Sequence, residues 1–319
     1  MARYLLTRLG QALVIVILVT LITFVILHFL PGGAARAILG KEATLEQIAA
    51  FNHEMGYDRP LWEQYLLYLQ RLVRGDLGYS FQLNQSVAEA IAQRLPKTML
   101  LSVASTLLAV VVAIPLGVVQ AVRRNKAADY AINALALLAY ATPIFFMGLM
   151  MIILFAQTWA ILPPEAPQGF TLGEVLSDPA GLVLPVVTLA IITIAVYSRY
   201  IRSSMVDNLN ENYVRTARSK GLSEGRVIVG HTLRNGLFPV ITLLGMYLPA
   251  LFSGALVVER LFNYPGMGLL FWQAALKRDY PILLGVTLLI SLATVVGALI
   301  ADLLYAAVDP RVRLKAGRS

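Results

Sequence analysis

Cysteine is absent from the chain, and histidine occurs three times, at His28, His53 and His231. Disulfides, thiolate metal sites and a cysteine nucleophile are therefore excluded. Histidines so far apart in sequence give no metal cluster. His53-Glu54 opens like the zinc-protease pattern H-E-x-x-H, but Tyr57 stands where the second histidine is required. No Ser, His and Asp constellation points to a hydrolase, and no G-x-x-x-x-G-K-[ST] loop occurs to cradle a nucleotide. The residues offer no catalytic group, no metal ligand and no cofactor site.

Three groups of polar residues remain. Asp302 is a carboxylate inside an apolar stretch, which makes it a functional candidate by default. Its place near the end of that stretch, two turns before Asp309-Pro310, favours an interfacial or hydrogen-bonding role over a proton relay. Glu259, Arg260, Arg278 and Asp279 fall at the expected outer mouth, where they can contact a partner, line a gate or neutralise one another at headgroup level. Met147, Met150 and Met151 with Phe145 and Phe146 form a soft apolar patch, more often packing than a binding surface. The third group is a basic segment from Arg202 to Arg234.

The elements that must position these groups are membrane spans. Of 319 residues, 58% are hydrophobic and only 14% charged, against about 45–50% and about 25% in a soluble domain. The net charge of +8 sits in short segments between apolar stretches and builds no basic face, which sets nucleic acid aside. A helix needs roughly 20 apolar residues to cross the bilayer. Six stretches qualify: about Leu9–Leu30, Met99–Val122, Ala131–Ala156, Leu182–Tyr200, Leu237–Val258 and Ile282–Val308. The first is longer than the apolar region of a cleaved signal peptide, typically 7–15 residues, so it is expected to be retained.

Lysine and arginine in short loops mark the cytoplasmic side. Arg3 and Arg8, then Arg123, Arg124 and Lys126, then the segment from Arg202 to Arg234, then Arg311 to Arg318, alternate with an acidic loop holding Glu165, Glu174 and Asp178. Both termini are thereby expected in the cytoplasm. The expected domains are a tail and first span over 1–30, an extracytoplasmic segment over 31–95, a membrane core over 96–308 with a cytoplasmic loop at about 202–235, and a cytoplasmic tail over 309–319.

The cytoplasmic loop reads as helix, turn, helix. Asp207 can cap the first helix, Arg218 and Lys220 oppose its dipole, and Gly221 ends it. Ser223 and Glu224 start the second. Leu209, Tyr213 and Ala217 form an apolar stripe that suits either a partner protein or the lipid interface. Within the spans, Ser105, Ala109, Ala113 and Gly117 share one helix face, and Gly285, Ala293, Gly297 and Ala301 share another. Small faces let helices approach closely. Pro115, Pro143, Pro185, Pro239 and Pro249 can kink the spans.

Arg215-Thr216-Ala217, then Gly221, then His231-Thr232-Leu233-Arg234 resemble the coupling loop of ABC importer permeases, in the variant of the peptide-uptake branch. Arg215, His231 and Arg234 depart from the general Glu-Ala-Ala, Gly, Ile-x-Leu-Pro pattern. Gly75-Asp76-Leu77-Gly78, the run Leu261 to Gly268, Arg278-Asp279-Tyr280-Pro281 and Asp309-Pro310-Arg311 resemble further markers of that branch in the same order. The resemblance implies an all-α type I importer permease fold with six spans in a prokaryotic inner membrane. It implies a subunit for dipeptides or short oligopeptides, with glutathione, nickel chelates or short sugars as other cargo and an ion-coupled secondary transporter as the rival class. It also implies a second, homologous permease as partner, an extracytoplasmic binding protein, and one or two kinds of ATPase subunit that bind ATP and Mg in place of this chain. The ATPase-coupling residues would be Arg215, Thr216, Ala217, Arg218, Lys220, Gly221, His231, Leu233 and Arg234, with Thr216, Ala217 and Gly221 allowing close approach of the partner.

Overall fold

The computed structural model describes residues 2–29, 35, 39, 42–237, 240, 243–244 and 256–308, with backbone only at 2–9, 12, 27–28 and 300–308. Most of the fifth expected span, the tail from 309 onward and the side chains of Asp302 and Ala301 lie outside the described residues.

The described chain is helical apart from a hairpin of two-residue strands. Helix α1 (Ala2–His28) is followed by two short helices, α2 (Leu45–Met55) and α3 (Leu61–Val73). Strands β1 (Tyr79–Ser80) and β2 (Gln85–Ser86) pair antiparallel. Helix α4 (Val87–Val122) comes next, then α5 (Ala127–Ala141) and α6 (Ile144–Met151), the last running on as a π-helix over Ile152–Thr158. After α7 (Leu172–Ser177) the chain crosses again in α8 (Ala180–Leu209). Short helices α9 (Asn212–Ser219), α10 (Glu224–Arg226) and α11 (Leu233–Gly236) follow, with a π-helix at Val227–Thr232 joining the last two. Helices α12 (Leu256–Leu261), α13 (Met267–Lys277) and α14 (Tyr280–Val308) close the fold.

Three helices, Val87–Val122, Ala180–Leu209 and the described part of α14 to Leu299, are long and apolar enough to cross a membrane, and the α5–α6 pair makes a fourth candidate. The third expected span is bent at Pro143, one of the prolines expected to kink the spans: α5 and α6 meet at 105°. Pro143 has no N–H to donate, and it forces Thr142 into an extended conformation, φ −79° and ψ 126°.

Two spans are longer than their apolar cores. Helix α4 starts at a capping box: the Glu89 N–H donates to Ser86 Oγ and the Ser86 N–H to Glu89 Oε2, at 3.2 and 3.1 Å. Its 36 residues reach about 54 Å at 1.5 Å per residue, so the expected boundary at residue 95 falls inside one continuous helix. Helix α8 likewise runs on to Leu209.

Helices α4 and α8 form the centre of the bundle, and small residues set their spacing. Ser105, Ala109, Ala113 and Gly117 are all buried. A Cβ on Gly117 would stand 2.6 Å from Ile201 Cβ and 2.9 Å from the Ser198 carbonyl, so only glycine fits the crossing. On α14, Gly285 packs on Val87, and Ala293 is buried as expected. The outer core gathers Val87, Ile91, Leu270, Ile282 and Val286. The inner core gathers Ala113, Tyr197, Ile201 and Met205.

A small helical layer covers the end of the bundle where α4 and α14 begin. Thr44 and Gln47 cap α2 reciprocally, and Gly56 ends it at φ 70°. The Tyr65 hydroxyl of α3 donates to the Ile17 carbonyl of α1 at 3.1 Å. Phe24 is tilted against Tyr65 and stacks on Tyr68, with centroids 5.4 and 6.2 Å apart. The break expected at Gly75-Asp76-Leu77-Gly78 is present, with both glycines at positive φ.

Candidate functional site

The loop between α8 and α11 carries most of the residues singled out from the sequence. It projects from the C-terminal end of α8, whose Met205 packs so closely on Gly236 that a Cβ there would meet the sulfur at 2.6 Å. Helix α9 does not start at Asp207, which lies inside α8. Helical periodicity simply continues past the apolar residues of that span. Glu211 occupies the N-cap, in extended conformation and without a side-chain cap. Gly221 ends the helix at φ 75°, and Ser223 opens α10 at the N-cap, both as expected.

The apolar stripe is narrower than Leu209, Tyr213 and Ala217. Val214 and Ala217 are buried against Val227, with Tyr213 and Leu222 at the edge, while Leu209 packs in the inner core. Ala217 therefore faces its own loop, and its small size serves internal packing. Gly221 has open space around it, so its glycine answers the backbone angle rather than a crowded contact.

The outward face is basic. Arg215, Arg218, Lys220, Arg226, His231 and Arg234 are all exposed. Arg218 pairs with Glu224 across the turn, Nε to Oε1 at 2.8 Å. The Thr216 and Ser219 hydroxyls return to the Asn212 and Arg215 carbonyls at 3.0 Å each, which leaves the guanidinium of Arg215 as the main group presented between them. Leu233 is half-buried and packs into the inner core, linking the loop to the bundle. A turn of two helices with its own small core and a cationic rim has the shape to seat in a groove next to α8 and α11.

One anchor of this platform was missed from the sequence. Arg202 Nε and Nη2 each donate to the Asp129 carboxylate at 2.7 Å, and the Asn125 N–H adds a third bond at 3.0 Å. The signal was there: Asp129 is an acid at the start of an apolar helix behind a basic loop.

At the opposite end of the bundle, the four residues expected at the outer mouth separate into two kinds. Arg260 and Arg278 are exposed, whereas Glu259 and Asp279 are buried and hold the fold together. Glu259 accepts from Thr98 Oγ1 at 2.8 Å and from the Gly268 and Leu269 N–H groups at 2.7 and 3.2 Å. Asp279 accepts from the Ser80 hydroxyl and from the Ile282 N–H. Neither carboxylate presents itself to a partner. The Tyr264 hydroxyl closes the same region by donating to the Lys97 carbonyl at 2.6 Å. Among the described residues no cluster of His, Cys, Asp or Glu could hold a metal ion.

Comparison with known proteins agrees with this arrangement along the whole chain. Residues 113–314 match the family described as binding-protein-dependent transport system inner membrane component, and residues 1–102 match the N-terminal region of such membrane components. A putative peptide permease protein of Brucella ovis is 39% identical over 98% of this chain and 100% of its own length. The dipeptide transport system permease protein of Escherichia coli is 36% identical over 99% and 100%. The oligopeptide transport system permease protein of Bacillus subtilis is 38% identical over 98% and 99%.

Proposed function

The chain belongs to the family of binding-protein-dependent transport system inner membrane components, and from that premise we propose that it forms half of the translocation path of an importer for dipeptides or short oligopeptides. It is an ABC-type peptide permease subunit with an all-α, membrane-embedded fold. The observation that carries the cargo class is the full-length likeness to relatives named for peptide, dipeptide and oligopeptide transport. Membership of this family replaces the ion-coupled alternative.

The finer reading has four parts. A second, homologous permease completes the path. ATPase subunits of one or two kinds bind ATP and Mg and receive the turn from Asn212 to Arg234 in a groove. A binding protein delivers cargo on the outer side. Both termini lie in the cytoplasm of a prokaryotic cell. The basic outward face of α9, fixed to the bundle through Leu233 and the Met205–Gly236 contact, supports the second part. In this mechanism closure of the ATPases moves α8 and α11 as one lever, because the loop has its own small core of Val214, Ala217 and Val227 and does not bend.

The test is to tag the chain, extract it in mild detergent and identify by mass the proteins that accompany it. A second permease with one or two ATPases is the expected result, and peptide uptake by the reconstituted set should require ATP. A stable homo-oligomer that transports without ATP would overturn the reading.

A further inference from the structure

A cavity of about 110 Å³ lies at the outer end of the bundle, between α1, the α2–α3 layer and the start of α14. It is remote from the cytoplasmic loop, and nothing in the transport reading uses it. Its walls are mostly apolar, with Phe24, Leu67 and Leu284 among the lining residues. The space is open on one side, and its volume is on the order of that which holds a single aromatic ring in an engineered protein cavity.

Six polar side chains break the apolar wall: Tyr57, Gln64, Tyr68, Arg71, Asp76 and Tyr280. Tyr280 is 8% exposed, and its buried hydroxyl has no hydrogen-bond partner. Tyr68 also lines the space, and its buried hydroxyl has none either. A buried hydroxyl without a partner costs free energy that a bound acceptor recovers. Burial pushes the Tyr68 phenol up to about 12, so it remains an O–H donor in neutral solution. Arg71 and Asp76 line the same cavity from opposite ends of one turn. The Asp76 N–H donates to the Arg71 carbonyl at 3.0 Å, which holds the two residues at a fixed separation. Asp76 Oδ1 accepts from the Gly78 N–H at 2.8 Å. Arg71 and Asp76 are both exposed at the rim of the cavity, and among the described residues neither the Arg71 guanidinium nor Asp76 Oδ2 is engaged by another side chain, so both are open to a ligand.

We propose that this cavity binds a small zwitterion that carries an apolar group. The anion of the ligand meets Arg71 and the two phenols, its cation meets Asp76, and its apolar group fills the ring-sized space against Leu67, Leu284 and Phe24. A lone anion would be repelled by Asp76 and a lone cation by Arg71, so the pair selects both charges together. Two sources supply such chemistry at this place: a short peptide or amino acid on the outer side, and the ethanolamine phosphate headgroup of a membrane lipid. The site does not depend on the peptide-import reading, which uptake measures separately.

The test uses the protein with its co-purifying subunits in nanodiscs of phosphatidylglycerol. Alanyl-phenylalanine is titrated by calorimetry, beside acetyl-alanyl-phenylalanine and alanyl-phenylalaninamide, which each keep one charge. In parallel, native mass spectrometry compares retention of phosphatidylethanolamine with that of phosphatidylglycerol. Arg71→Gln and Asp76→Asn are each expected to weaken the zwitterion about tenfold, and Tyr280→Phe about fivefold. These three changes conserve shape, and Asp76→Asn keeps the oxygen that holds Gly78, so the fold is retained. Saturable dipeptide binding with this sensitivity identifies a peptide site. Selective retention of phosphatidylethanolamine, lost in the same variants, identifies a lipid site. Failure of both probes, binding unchanged in all three variants, or equal binding of a singly charged analogue would overturn the proposal.

Discussion

Arg202 and Asp129 face each other through two hydrogen bonds of 2.7 Å, with the carboxylate 3% exposed and the guanidinium 29%. The pair joins the inner end of α8 to the first turn of α5, where Asp129 also holds the Asn125 N–H. A planar guanidinium is required for the two-pronged contact, and lysine cannot reproduce it. Arg202→Ala is expected to destabilise the protein by about 3 kcal/mol, the lower end for removing one partner of a buried pair, since Arg202 keeps some access to solvent. Arg202→Lys should recover less than half of that loss. Thermal unfolding in detergent reads both, and an unchanged midpoint for Arg202→Ala would refute the anchoring role.

Gly221 sits at φ 75° with open space around it. A side chain there meets no neighbour and pays only for the left-handed backbone, roughly 1–2 kcal/mol for most residues. Asn tolerates this region better than branched residues do. Gly221→Asn should therefore keep most ATP-dependent uptake, while Gly221→Val should lose most of it with little change in the amount of protein in the membrane. Equal uptake by the two variants would mean that the turn angle is irrelevant to coupling.

Arg218 and Glu224 pair across the turn at 2.8 Å, but their side chains are 43% and 62% exposed. Such a pair adds less than about 1 kcal/mol to stability. Arg218→Glu and Glu224→Arg should each leave the unfolding midpoint in place. On the proposed mechanism Arg218→Glu lowers ATPase-coupled uptake severalfold, and the double exchange does not restore it, because the groove of the partner meets the wrong charge. Full rescue by the double exchange would assign Arg218 to the turn alone.

The long elements were legible in the sequence because apolar length alone specifies a membrane helix, and Gly221, Ser223 and the small face from Ser105 to Gly117 carry local signals that tertiary packing did not override. Helix ends were not legible. Composition marks where the apolar run stops, while α4 and α8 continue beyond it and pack Val87, Ile91, Ile201 and Met205 into the core, which is why Asp207 was read as a cap and lies inside a helix. Charge was misread for a related reason. Glu259 and Asp279 sit beside arginines in sequence and suggest an exposed mouth, yet their partners are Thr98, 161 residues away, and Ser80, 199 residues away. Pairings at that separation depend on how α4 crosses the outer loops, and no local pattern encodes it.

Asp279 joins the outer hairpin to the first turn of α14 by accepting from the Ser80 hydroxyl. Burial pushes its carboxyl above the ordinary range, and the bonds from Ser80 and the Ile282 N–H only partly offset this. A raised folded value means the neutral form is favoured by folding. Its stabilising contribution is therefore fully present below the unfolded value of about 3.9 and is lost as pH rises through the folded value. Acidification through that window should slow hydrogen exchange of the Ser80 and Leu83 amides relative to amides of α3, once intrinsic exchange rates are divided out. Asp279→Asn mimics the neutral carboxyl and should remove this pH dependence while keeping the hairpin docked. Asp279→Ala should leave the Ser80 hydroxyl buried without an acceptor and raise exchange at every pH. If the aspartate protein and the asparagine variant follow the same pH profile, the carboxyl is not the group that titrates.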